Sequence, residues 1–457
     1  MNERYNKQYD VIVAGGGVSG AAAAIAAARA GADTLLIERA GYLGGTLTSC
    51  SVAPMMTFFA GEQQVIKGLM QEIVDRMVAR GYSCGHVKDT TRYVSYVTPF
   101  ESEGLKLVLD EMAAQSGCTV LFHSFIAGTE AQHNRMSALK ICNKDGLHAV
   151  SARVFIDATG DGDVMAWAGV EYVKGRPQDG ASQPLTMKMK YCNVDTNAVK
   201  SYVKTHLKDF PRLAHNLDLV DTKEPLALAG YESTFRKAKQ NGELTTPRED
   251  ILMFETSRPG EFVINTTRIL HCDATDALSL SKAEMEGRKQ CEELARFFKN
   301  HVPGFEQAIL EFTGPSVGIR GSRQLVGKYT LTAEDVLHAK KFDTVIAHSG
   351  YPIDIHSPDG AGTRTHYIGE DGGRAYYDIP YEIMVPNTIE NLLVTGRCAS
   401  ASFEAQASIR LTPSAGSMGQ AAGIAAALAA KEDCSVGRVD IAQLQRLLRE
   451  NGAYIEG

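Results

Sequence analysis

The apolar residues near the start of the chain fall into a strand, a helix and a second strand. The run from Asp10 to Ala14 is short and apolar, which is typical of a buried strand. An alanine-rich segment from Ala21 to Ala30 predicts a helix, and the apolar run from Thr34 to Ile37 predicts the second strand. Two strands joined by a helix indicate a βαβ unit with parallel strands.

Glycines occupy the turn between the first strand and this helix. Gly15, Gly17 and Gly20 form the pattern G-x-G-x-x-G, which allows a tight turn, close approach to a phosphate and close packing of the helix on the strand. The helix N-terminus adds partial positive charge at the same place. Glu38 ends the second strand 18 residues after Gly20, where its oxygens can accept hydrogen bonds from ribose hydroxyls. This order predicts a dinucleotide-binding site, with a purely structural glycine turn as the alternative.

Helical and alternating apolar patterns continue up to residue 156. Apolar residues at every fourth position predict a helix from Val65 to Arg80, and a similar pattern predicts another from Leu105 to Met112. Thr119 to Phe122 is typical of a parallel strand. The segments Leu139 to Cys142 and Ala149 to Ile156 are joined by a short polar turn, and together they predict a small antiparallel layer.

A different pattern fills the middle of the chain, and the order of strand and helix returns only at Leu392. The segment from Leu185 to Tyr191 alternates polar with apolar residues, which predicts an exposed strand. Ser281 to Phe298 has helical periodicity, with Met285 and Leu294 among its apolar positions. Glycine-containing segments predict turns at 358–362 and 370–373.

Further glycine-containing segments follow other predicted strands. A Gly-Gly turn spans Gly44 to Thr46, and the apolar strand that begins at Val154 ends in Ala-Thr-Gly at Gly160. Near the C-terminus, Asn391 to Arg397 is another strand that ends in glycine. It precedes a predicted glycine-rich loop, Ser408 to Gly423, which enters a helix of small residues from Gln420 to Ala430. A helix N-terminus at this loop would stabilise negative charge on a bound ring.

The order and spacing of these segments resemble those of FAD-dependent oxidoreductases of the glutathione-reductase type, related to the succinate dehydrogenase and fumarate reductase flavoproteins. The resemblance rests on G-G-T-x-T at Gly44 to Thr48, D-A-T-G-D-G-D at Asp157 to Asp163 and M-G-Q-A-A-G at Met418 to Gly423. It covers nearly the whole chain, from Tyr9 to Leu448. It implies FAD as the cofactor and leaves the substrate open, because the group is chemically diverse.

The resemblance also implies which residues hold FAD. They belong to the glycine turns, to the acid after the second strand, to the segment that passes the adenine and to the C-terminal segments. The predicted cofactor-binding residues are Gly15, Gly17, Val18, Ser19, Gly20, Glu38, Arg39, Gly44, Gly45, Thr46, Phe125, Ile126, Ala158, Thr159, Gly160, Asp163, Gly396, Arg397, Gly416, Met418, Gly419 and Gln420.

An α/β fold follows from the resemblance, with a Rossmann-like FAD-binding domain and an inserted α+β substrate domain. The FAD-binding domain combines a parallel sheet with a small antiparallel layer. We place it at 1–182 and 387–457, and the inserted domain at 183–386. The sequence has no second G-x-G-x-x-G behind a strand, because Gly314, Gly318 and Gly321 have a different spacing. Electrons are therefore expected to come from the substrate itself or from a separate carrier.

Three residues are candidates for catalysis. Arg410 lies just before the small-residue helix, where it can clamp a carboxylate or stabilise reduced flavin. His356 shares one face of an apparent strand with Asp354 and can exchange a proton near neutral pH. Arg323 follows a Gly-Ser pair in the inserted segment. The alternative for each is a structural role, as an ion-pair partner for the arginines and as a core or surface group for the histidine.

The chain departs from the succinate dehydrogenase relatives in two ways. No histidine follows the Gly44-Gly45 turn at the place where those proteins attach FAD covalently, and Thr48, Ser49 and Cys50 stand there instead. Their catalytic arginine segment also has no match in this sequence. We therefore predict non-covalent FAD, and dicarboxylate chemistry is not predicted.

Composition narrows the class of protein further. The 457 residues carry a net charge of −7, with 22% charged residues and no run of like charges, which argues against a nucleic-acid partner. No stretch approaches the roughly 20 apolar residues of a membrane span, and the polar N-terminus lacks a signal-peptide core. Nine scattered cysteines without a C-x-x-C pair are typical of the reducing cytoplasm and predict no metal site.

These observations together predict an oxidoreductase that transfers a hydride between a small organic substrate and FAD. Two alternatives stay open: an NAD-dependent dehydrogenase, which does not need the Gly44-Gly45 turn, and a flavin-binding protein without turnover, such as a sensor or scaffold. The sequence leaves the substrate, the direction of the reaction, the electron partner and the oligomeric state undetermined.

Overall fold

The computed structural model describes residues 3–213, 216–222, 225–369 and 375–456. The turn that the sequence predicts at 370–373 lies outside these ranges. Within them the strands form one sheet of seven strands, one of five strands and five pairs of short strands.

The seven-stranded sheet has a parallel part that contains the βαβ unit. Its parallel strands lie side by side in the order Thr119–Leu121, Thr34–Ile37, Gln8–Ala14, Gly146–Asp157 and Leu392–Val394. Thr34–Ile37 and Leu392–Val394 are buried along their whole length, as expected for short apolar strands under helices. The α/β prediction is confirmed.

The long strand Gly146–Asp157 joins two kinds of pairing. Its second half pairs in parallel with Gln8–Ala14, and its first half pairs antiparallel with Arg135–Asn143. Arg135–Asn143 in turn pairs with Phe125–Gln132. The predicted antiparallel layer is therefore continuous with the parallel sheet, and it holds one strand more than the sequence predicts.

Two helices of small residues pack against each other beside the parallel sheet. A Cβ atom on Gly419 of helix Thr412–Glu432 would lie 2.1 Å from the Ser19 carbonyl oxygen of helix Val18–Arg29, so the two backbones are in close contact. The predicted glycine-rich loop at 408–423 is wrong, because helices Phe403–Ile409 and Thr412–Glu432 occupy most of it. The glycines of this segment allow the two helices to pack closely, and they do not mark a loop.

The five-stranded sheet is antiparallel and lies in the middle of the chain. Its strands follow the order Ala227–Gly230, Ile251–Glu255, Phe262–Ile264, Met189–Cys192 and Ile309–Thr313. The helix Ala277–His301 supplies buried residues, such as Leu294 and Phe298, to the same hydrophobic cluster.

Two details of this region differ from the sequence prediction. The strand at 185–191 is not exposed, since Met187 and Met189 are buried on one face and Lys188 is only 5% exposed on the other. Polar and apolar residues alternate in the same way whether the polar face of a strand meets solvent or a polar cavity. The sequence pattern therefore could not distinguish an exposed strand from one that borders a cavity. Met285 is 61% exposed and lies outside the core, whereas Leu294 is buried as predicted.

Hydrophobic clusters show how the middle of the chain divides. The cluster of the five-stranded sheet draws its buried residues from 185–317. Most buried hydrophobic residues between Leu331 and Val385, including Val345, Tyr377 and Ile383, belong instead to the cluster of the parallel sheet. The domain boundaries at 183 and 386 stay a prediction.

The remaining elements are short or lie at the periphery. The predicted helices at 65–80 and 105–112 are confirmed as Leu69–Ala79 and Ser102–Ser116. The other helices are Glu3–Asn6, Thr46–Ser49, Asp163–Trp167, Thr196–Thr205, Leu207–Asp209, Leu217–Val220, Glu232–Gln240, Ala333–Leu337, Tyr381–Met384, Gly396–Cys398, Val436–Arg438 and Ile441–Glu450. The other strands are Phe59–Ala60, Gln63–Gln64, Val87–Lys88, Tyr96–Val97, Tyr172–Lys174, Arg323–Leu325, Val345–Ser349, Ile353–His356, Thr363–His366 and Tyr377–Pro380. Among the described residues, none of the helices has both the length and the apolar character that crossing a bilayer requires.

Candidate active site

A cavity of about 900 Å³ lies between the carboxyl ends of the parallel strands and the five-stranded sheet. What we term its glycine side is formed by residues 15, 17–19, 38–39, 45–46, 158–160 and 395–397, which follow the ends of four parallel strands. What we term its cationic side is formed by Lys188, Arg268, Arg320 and Arg410.

The first glycine turn has the geometry that its sequence predicts. A Cβ atom on Gly20 would lie 1.8 Å from the Gly15 carbonyl oxygen, so only glycine allows the helix to start this close to the strand. A Cβ atom on Gly17 would meet no atom closer than 3.9 Å. The helix starts at Val18 with no side chain capping its N-terminus. Its first N–H groups therefore remain available to a ligand in the cavity.

Glu38 lines the cavity beside this turn. Its Oε2 atom accepts a hydrogen bond from the Gly16 N–H at 2.6 Å, and Oε1 accepts one from the Ala40 N–H at 2.7 Å. The carboxylate thus fixes the turn, while lone pairs that remain on its oxygens can serve a ligand.

Two further turns complete the glycine side. Gly44 donates its N–H to the Gly16 carbonyl oxygen at 2.9 Å, which brings Gly45 against Gly17. Ala158, Thr159 and Gly160 follow the strand Gly146–Asp157, and Gly396 and Arg397 follow the strand Leu392–Val394. All five of these residues, with Gly45 and Thr46, line the cavity.

A buried carboxyl holds the turn after Asp157 in place. Its oxygens accept hydrogen bonds from the Thr159 N–H at 3.0 Å, the Thr159 hydroxyl at 2.7 Å and the Met165 N–H at 2.8 Å. Burial raises the pKa of Asp157 to about 6. The aspartate of this motif therefore has a structural task behind the cavity.

Nine predicted cofactor residues do not line the cavity. Gly20 lies against the Gly15 carbonyl oxygen, and Gly44 donates its N–H to Gly16, so both belong to the packing of the turns. Phe125 is 57% exposed, and Ile126 follows it on the antiparallel layer. Asp163 pairs with Arg323 at 2.9 Å. The others, which lie on helix Thr412–Glu432, are Gly416, Met418, Gly419 and Gln420. That helix does reach the cavity, but through its first residues, Thr412 and Ala415.

The three catalytic candidates fall in different places. Arg410 and His356 line the cavity, and Arg323 does not. Besides its pair with Asp163, Arg323 donates to the Asp161 carbonyl oxygen at 3.0 Å and lies over the Tyr172 ring. It therefore braces the segment behind the glycine side.

His356, Asp354 and Arg410 form a connected buried group. The His356 Nε2 atom is 3.2 Å from Asp354 Oδ2, and an Arg410 guanidinium nitrogen is 3.5 Å from the same oxygen. Arg268 donates to His356 Nδ1 at 3.0 Å. Because arginine can only donate, Nδ1 is an acceptor and the ring proton lies on Nε2, facing Asp354.

The charge state of this group follows from burial and from its neighbours. Burial and then the Arg320 charge lower the pKa of His356 to about 3, despite the opposing effect of Asp354. Burial alone would raise the pKa of Asp354, but the hydrogen bond from the His356 ring and the Arg410 charge hold it well below its usual range. The imidazole is therefore neutral near pH 7 and the carboxylate is ionised.

Sequence reasoning missed the other cations of the cavity. Lys188 and Arg268 are 5% and 2% exposed, and both line the cavity with Arg320. Within the described residues, no carboxylate lies within 4.0 Å of the charged groups of these three side chains. Arg320 donates instead to the Pro184 carbonyl oxygen at 2.5 Å and the Thr186 hydroxyl at 2.6 Å.

Burial and the neighbouring positive charges lower the pKa values of Lys188 and Arg320. Burial and then the Arg320 charge lower the pKa of Lys188 to about 7. Burial and then the charges of Arg410 and Arg268 lower the pKa of Arg320 well below its ordinary value. Such uncompensated positive charge favours an anionic ligand. The only sequence signal for Lys188 was its polar position in an alternating segment, and Arg268 gave none.

The comparison with known families shows which cofactor the protein uses. The model of the FAD dependent oxidoreductase family matches residues 10–448. The chain belongs to this family. FAD is therefore its cofactor, and it is an enzyme of oxidation and reduction.

Solved structures resemble the flavoenzyme over nearly its whole length. One is a geranylgeranyl bacteriochlorophyll reductase-like protein of Thermoplasma acidophilum, with 15% identity, a TM-score of 0.50 and coverage of 98% of this chain and 84% of that one. Another is the p-nitrophenol 4-monooxygenase of Pseudomonas putida, with 10% identity, a TM-score of 0.49 and coverage of 98% and 86%. At these identities the likeness concerns the fold alone. No curated protein sequence matches the chain.

The residues of the glycine side fit FAD. Open space over Gly17 and the uncapped start of helix Val18–Arg29 suit a pyrophosphate, which needs N–H donors without a Cβ in the way. Glu38 is an acceptor suited to ribose hydroxyls. Leu411 and Thr412 bring a second uncapped helix N-terminus to the cavity, where it favours negative charge on a ligand.

Proposed function

We propose that this flavoenzyme transfers a hydride between a small organic acid and non-covalently bound FAD. The observation that carries the proposal is the cationic side of the cavity, where Arg268 and Arg320 have no carboxylate partner among the described residues. A carboxylate substrate supplies the missing negative charge, and arginine can bind it through two parallel hydrogen bonds. A 2-hydroxy or 2-amino acid supplies this carboxylate, and its neighbouring carbon can exchange a hydride with FAD.

The arginines of the cationic side, with His356 and Asp354 behind them, form the acid-binding site of this proposal. Arg320 and Arg410 bind the carboxylate. Arg268 is held by His356 Nδ1 at 3.0 Å and by the carbonyl oxygens of the 360–362 turn. Asp354 orients His356 and Arg410 from behind. His356 is therefore a positioning residue, because both of its ring nitrogens already have partners.

Aromatic side chains restrict water at the same place. Tyr93 and Tyr351 line the cavity with their ring centroids 6.0 Å apart, and Met56 lies on the same wall. Electrostatic attraction between the acid and the cations is stronger in such a setting than in bulk water. Bound FAD supplies the two-electron acceptor or donor.

Non-covalent binding is supported by the residues that follow the Gly-Gly turn. Thr48 donates its hydroxyl to the Leu43 carbonyl oxygen at 2.8 Å and is buried. Cys50 lines the cavity, but burial raises the pKa of its thiol, which keeps it protonated and unreactive. All nine cysteines are unpaired, which supports the cytoplasm as the proposed compartment. A separate carrier stays the proposed electron partner.

The proposal is tested on the yellow holoenzyme by anaerobic stopped-flow spectroscopy. Small 2-hydroxy and 2-amino acids are mixed with oxidised enzyme, and 2-oxo acids with enzyme reduced by dithionite. We expect at least one acid to change the flavin spectrum and its methyl ester to fail. Arg320→Met should raise the acid concentration for half-maximal rate about 10–100-fold, the effect of losing a charge-assisted hydrogen bond of roughly 1.5–3 kcal/mol.

The matched control is Arg296→Met, which removes an arginine on the surface of helix Ala277–His301. It should leave the concentration dependence unchanged. Equal rates with acids and esters would contradict the acid assignment. Flavin that stays with acid-precipitated protein would contradict non-covalent binding.

A further inference from the structure

Lys188 occupies a position on the cavity wall that no part of the proposed function uses. It lies one residue before the strand Met189–Cys192, and its carbonyl oxygen accepts the Gly314 N–H at 2.8 Å. The neighbouring Thr186 forms a bridge with Gly318. These backbone pairings fix the lysine between the five-stranded sheet and the cavity, where its side chain is 5% exposed.

The amino group of Lys188 has few contacts for a buried charge. Its Nζ donates to the Ala53 carbonyl oxygen at 3.4 Å, which is a long hydrogen bond. The titratable groups that face it are Arg320, on the segment after Gly314, and Cys50, on the loop before Ala53. A buried ammonium without a carboxylate is unfavourable, so the neutral amine is favoured.

Lys190 shows what an ordinary lysine does on the same strand. It is two residues away and forms ion pairs with Glu261 at 2.9 Å and Glu311 at 3.2 Å. Those pairs raise the pKa of Lys190, whereas burial lowers that of Lys188 to about 7. One strand therefore carries a charged structural lysine and an unpaired lysine that faces the cavity.

The titratable groups His356, Asp354 and Tyr351, which lie beside the arginines, are engaged. His356 accepts from Arg268 and faces Asp354 with its ring proton. Asp354 accepts from the Tyr351 hydroxyl at 3.3 Å, and burial raises the pKa of that tyrosine well above its ordinary value. Lys188 is thus the group on this side whose lone pair can accept a proton without breaking an existing hydrogen-bonded pair.

We propose that Lys188 is the catalytic acid and base that exchanges a proton with the hydroxyl or amino group of the substrate. The proposal rests on the proposed function. In the oxidative direction the substrate C–H bond breaks and its electron pair leaves with the hydrogen for FAD. The O–H or N–H bond breaks at the same centre, its proton passes to Nζ, and its electron pair forms the new C=O or C=N bond. The reverse direction returns the proton from the ammonium group.

The first test probes the amine directly, with glyoxylate and cyanoborohydride on the holoenzyme. The anionic aldehyde is attracted by the cationic side, condenses with a neutral amine and is reduced to a stable carboxymethyl group that peptide mass mapping locates. We expect Lys188 to be modified at pH 7 at least tenfold faster than Lys190, with a rate that levels off above a midpoint near pH 7. No modification of Lys188, or a rate that still rises at pH 10, would overturn the proposal.

The second test measures thermal unfolding of the holoenzyme from pH 6 to pH 10. A lysine whose folded pKa lies below its unfolded value of about 10.5 weakens the folded state most at pH 7 and below, and the penalty disappears as pH rises to 10.5. Lys188→Met should therefore raise the melting temperature at pH 6, with a gain that shrinks towards pH 10. Lys190→Met, the matched control, should lower it, because two ion pairs are lost. A gain for Lys188→Met that does not change with pH would refute the neutral amine.

The third test separates this proposal from the proposed function. With an acid that reduces the flavin, the wild-type rate should rise with pH through about 7. Lys188→Met and Lys188→Arg should lose that rise and at least 100-fold in rate at pH 8, the usual contribution of a general base. If acids reduce both variants at wild-type rates, only the Lys188 proposal fails. If no acid reduces the wild type while Lys188 is modified with a midpoint near pH 7, the proposed function fails instead.

Discussion

At the scale of single residues, the carboxylate of Glu38 holds the glycine turn, and we propose that it also binds the ribose of the cofactor. It holds the Gly16 and Ala40 N–H groups, which shape the glycine side before any ligand binds. Ribose hydroxyls would use its remaining lone pairs. A change at this residue therefore alters both the preorganisation of the turn and the hydrogen bonding of the cofactor.

Glu38→Ala should weaken FAD retention about tenfold or more, because a hydrogen bond to a charged group contributes roughly 1.5–3 kcal/mol. The measurement is the FAD content of the protein after extended dialysis. Glu103→Ala, on the 78% exposed side chain of a surface ion pair, is the control and should retain FAD normally. Unchanged occupancy in Glu38→Ala would argue against the ribose role.

Arg410 carries the second residue-level prediction. Its guanidinium is 3.5 Å from Asp354, and its Nε atom is buried without a partner among the described residues. Arg410→Ala should keep bound FAD and slow flavin reduction by an acid roughly 10²-fold, the scale of losing one charge stabiliser. Arg410→Lys should rescue only part of the rate, because lysine cannot form two parallel hydrogen bonds.

Stopped-flow reduction of the bound flavin measures both Arg410 variants, with dithionite reduction as the control for intact flavin. Wild-type rates with the acid in Arg410→Ala would show that the arginine takes no part in the reaction. Loss of soluble protein would instead identify Arg410 as a structural partner of Asp354.

The sequence could predict the residues whose task is set by local geometry. Gly15, Gly17 and Glu38 belong to a turn whose strand, helix and acid are adjacent in the chain, so their spacing carries the information. Lys188 and Arg268 meet the cavity only because the five-stranded sheet faces the parallel one. Their neighbours are distant in sequence, and no local pattern separates them from surface cations.

At the scale of elements, the contact between helices Val18–Arg29 and Thr412–Glu432 depends on missing side chains. Cβ atoms on Gly419 and Gly423 would each lie 2.1 Å from a carbonyl oxygen of the first helix, at Ser19 and Ala23. The sequence showed these glycines but not their purpose, since glycine is typical of loops as well as of close helix contacts. Only the partner helix, almost 400 residues earlier, settles the matter.

Gly419→Ala should lower the free energy of unfolding by about 1–3 kcal/mol, the usual cost of overpacking a tight contact. Urea unfolding followed by circular dichroism measures it. The control is Lys431→Ala, on an exposed position of the same helix, which should change stability by less than about 0.5 kcal/mol. A Gly419→Ala protein as stable as the wild type would mean that the two helices can move apart without lowering the free energy of unfolding.

At the scale of the whole molecule, the buried cationic side makes stability depend on pH. His356 is neutral in the folded protein with a pKa of about 3, whereas an unfolded histidine titrates near 6.5. The unfolded chain therefore binds a proton that the folded chain does not, at every pH between those values. The stability contribution is complete above about pH 6.5 and is lost as pH falls.

His356→Gln should remove this dependence. The free energy of unfolding of the wild type, relative to His356→Gln, should fall by about 1.4 kcal/mol for each pH unit between pH 6 and pH 4.5. Urea unfolding of both proteins at several pH values gives this difference in the free energy of unfolding. The contribution of Asp157, which depends on pH in the opposite direction, is present in both proteins and cancels. His338→Gln, at a side chain that is 74% exposed, is the control and should change stability by less than about 0.5 kcal/mol. A constant difference would show that the pKa of His356 is the same in the folded and unfolded protein.

The last strand of the parallel sheet, Leu392–Val394, and the helix Thr412–Glu432 come from the end of the chain. The helix Val18–Arg29, which packs on Thr412–Glu432, leaves the ribosome more than 380 residues earlier. At a synthesis rate of roughly 5–20 residues per second, about 20–80 s pass before the partner of its small apolar face is made. Nascent chains therefore leave the small apolar face of this helix without its partner until translation is almost complete.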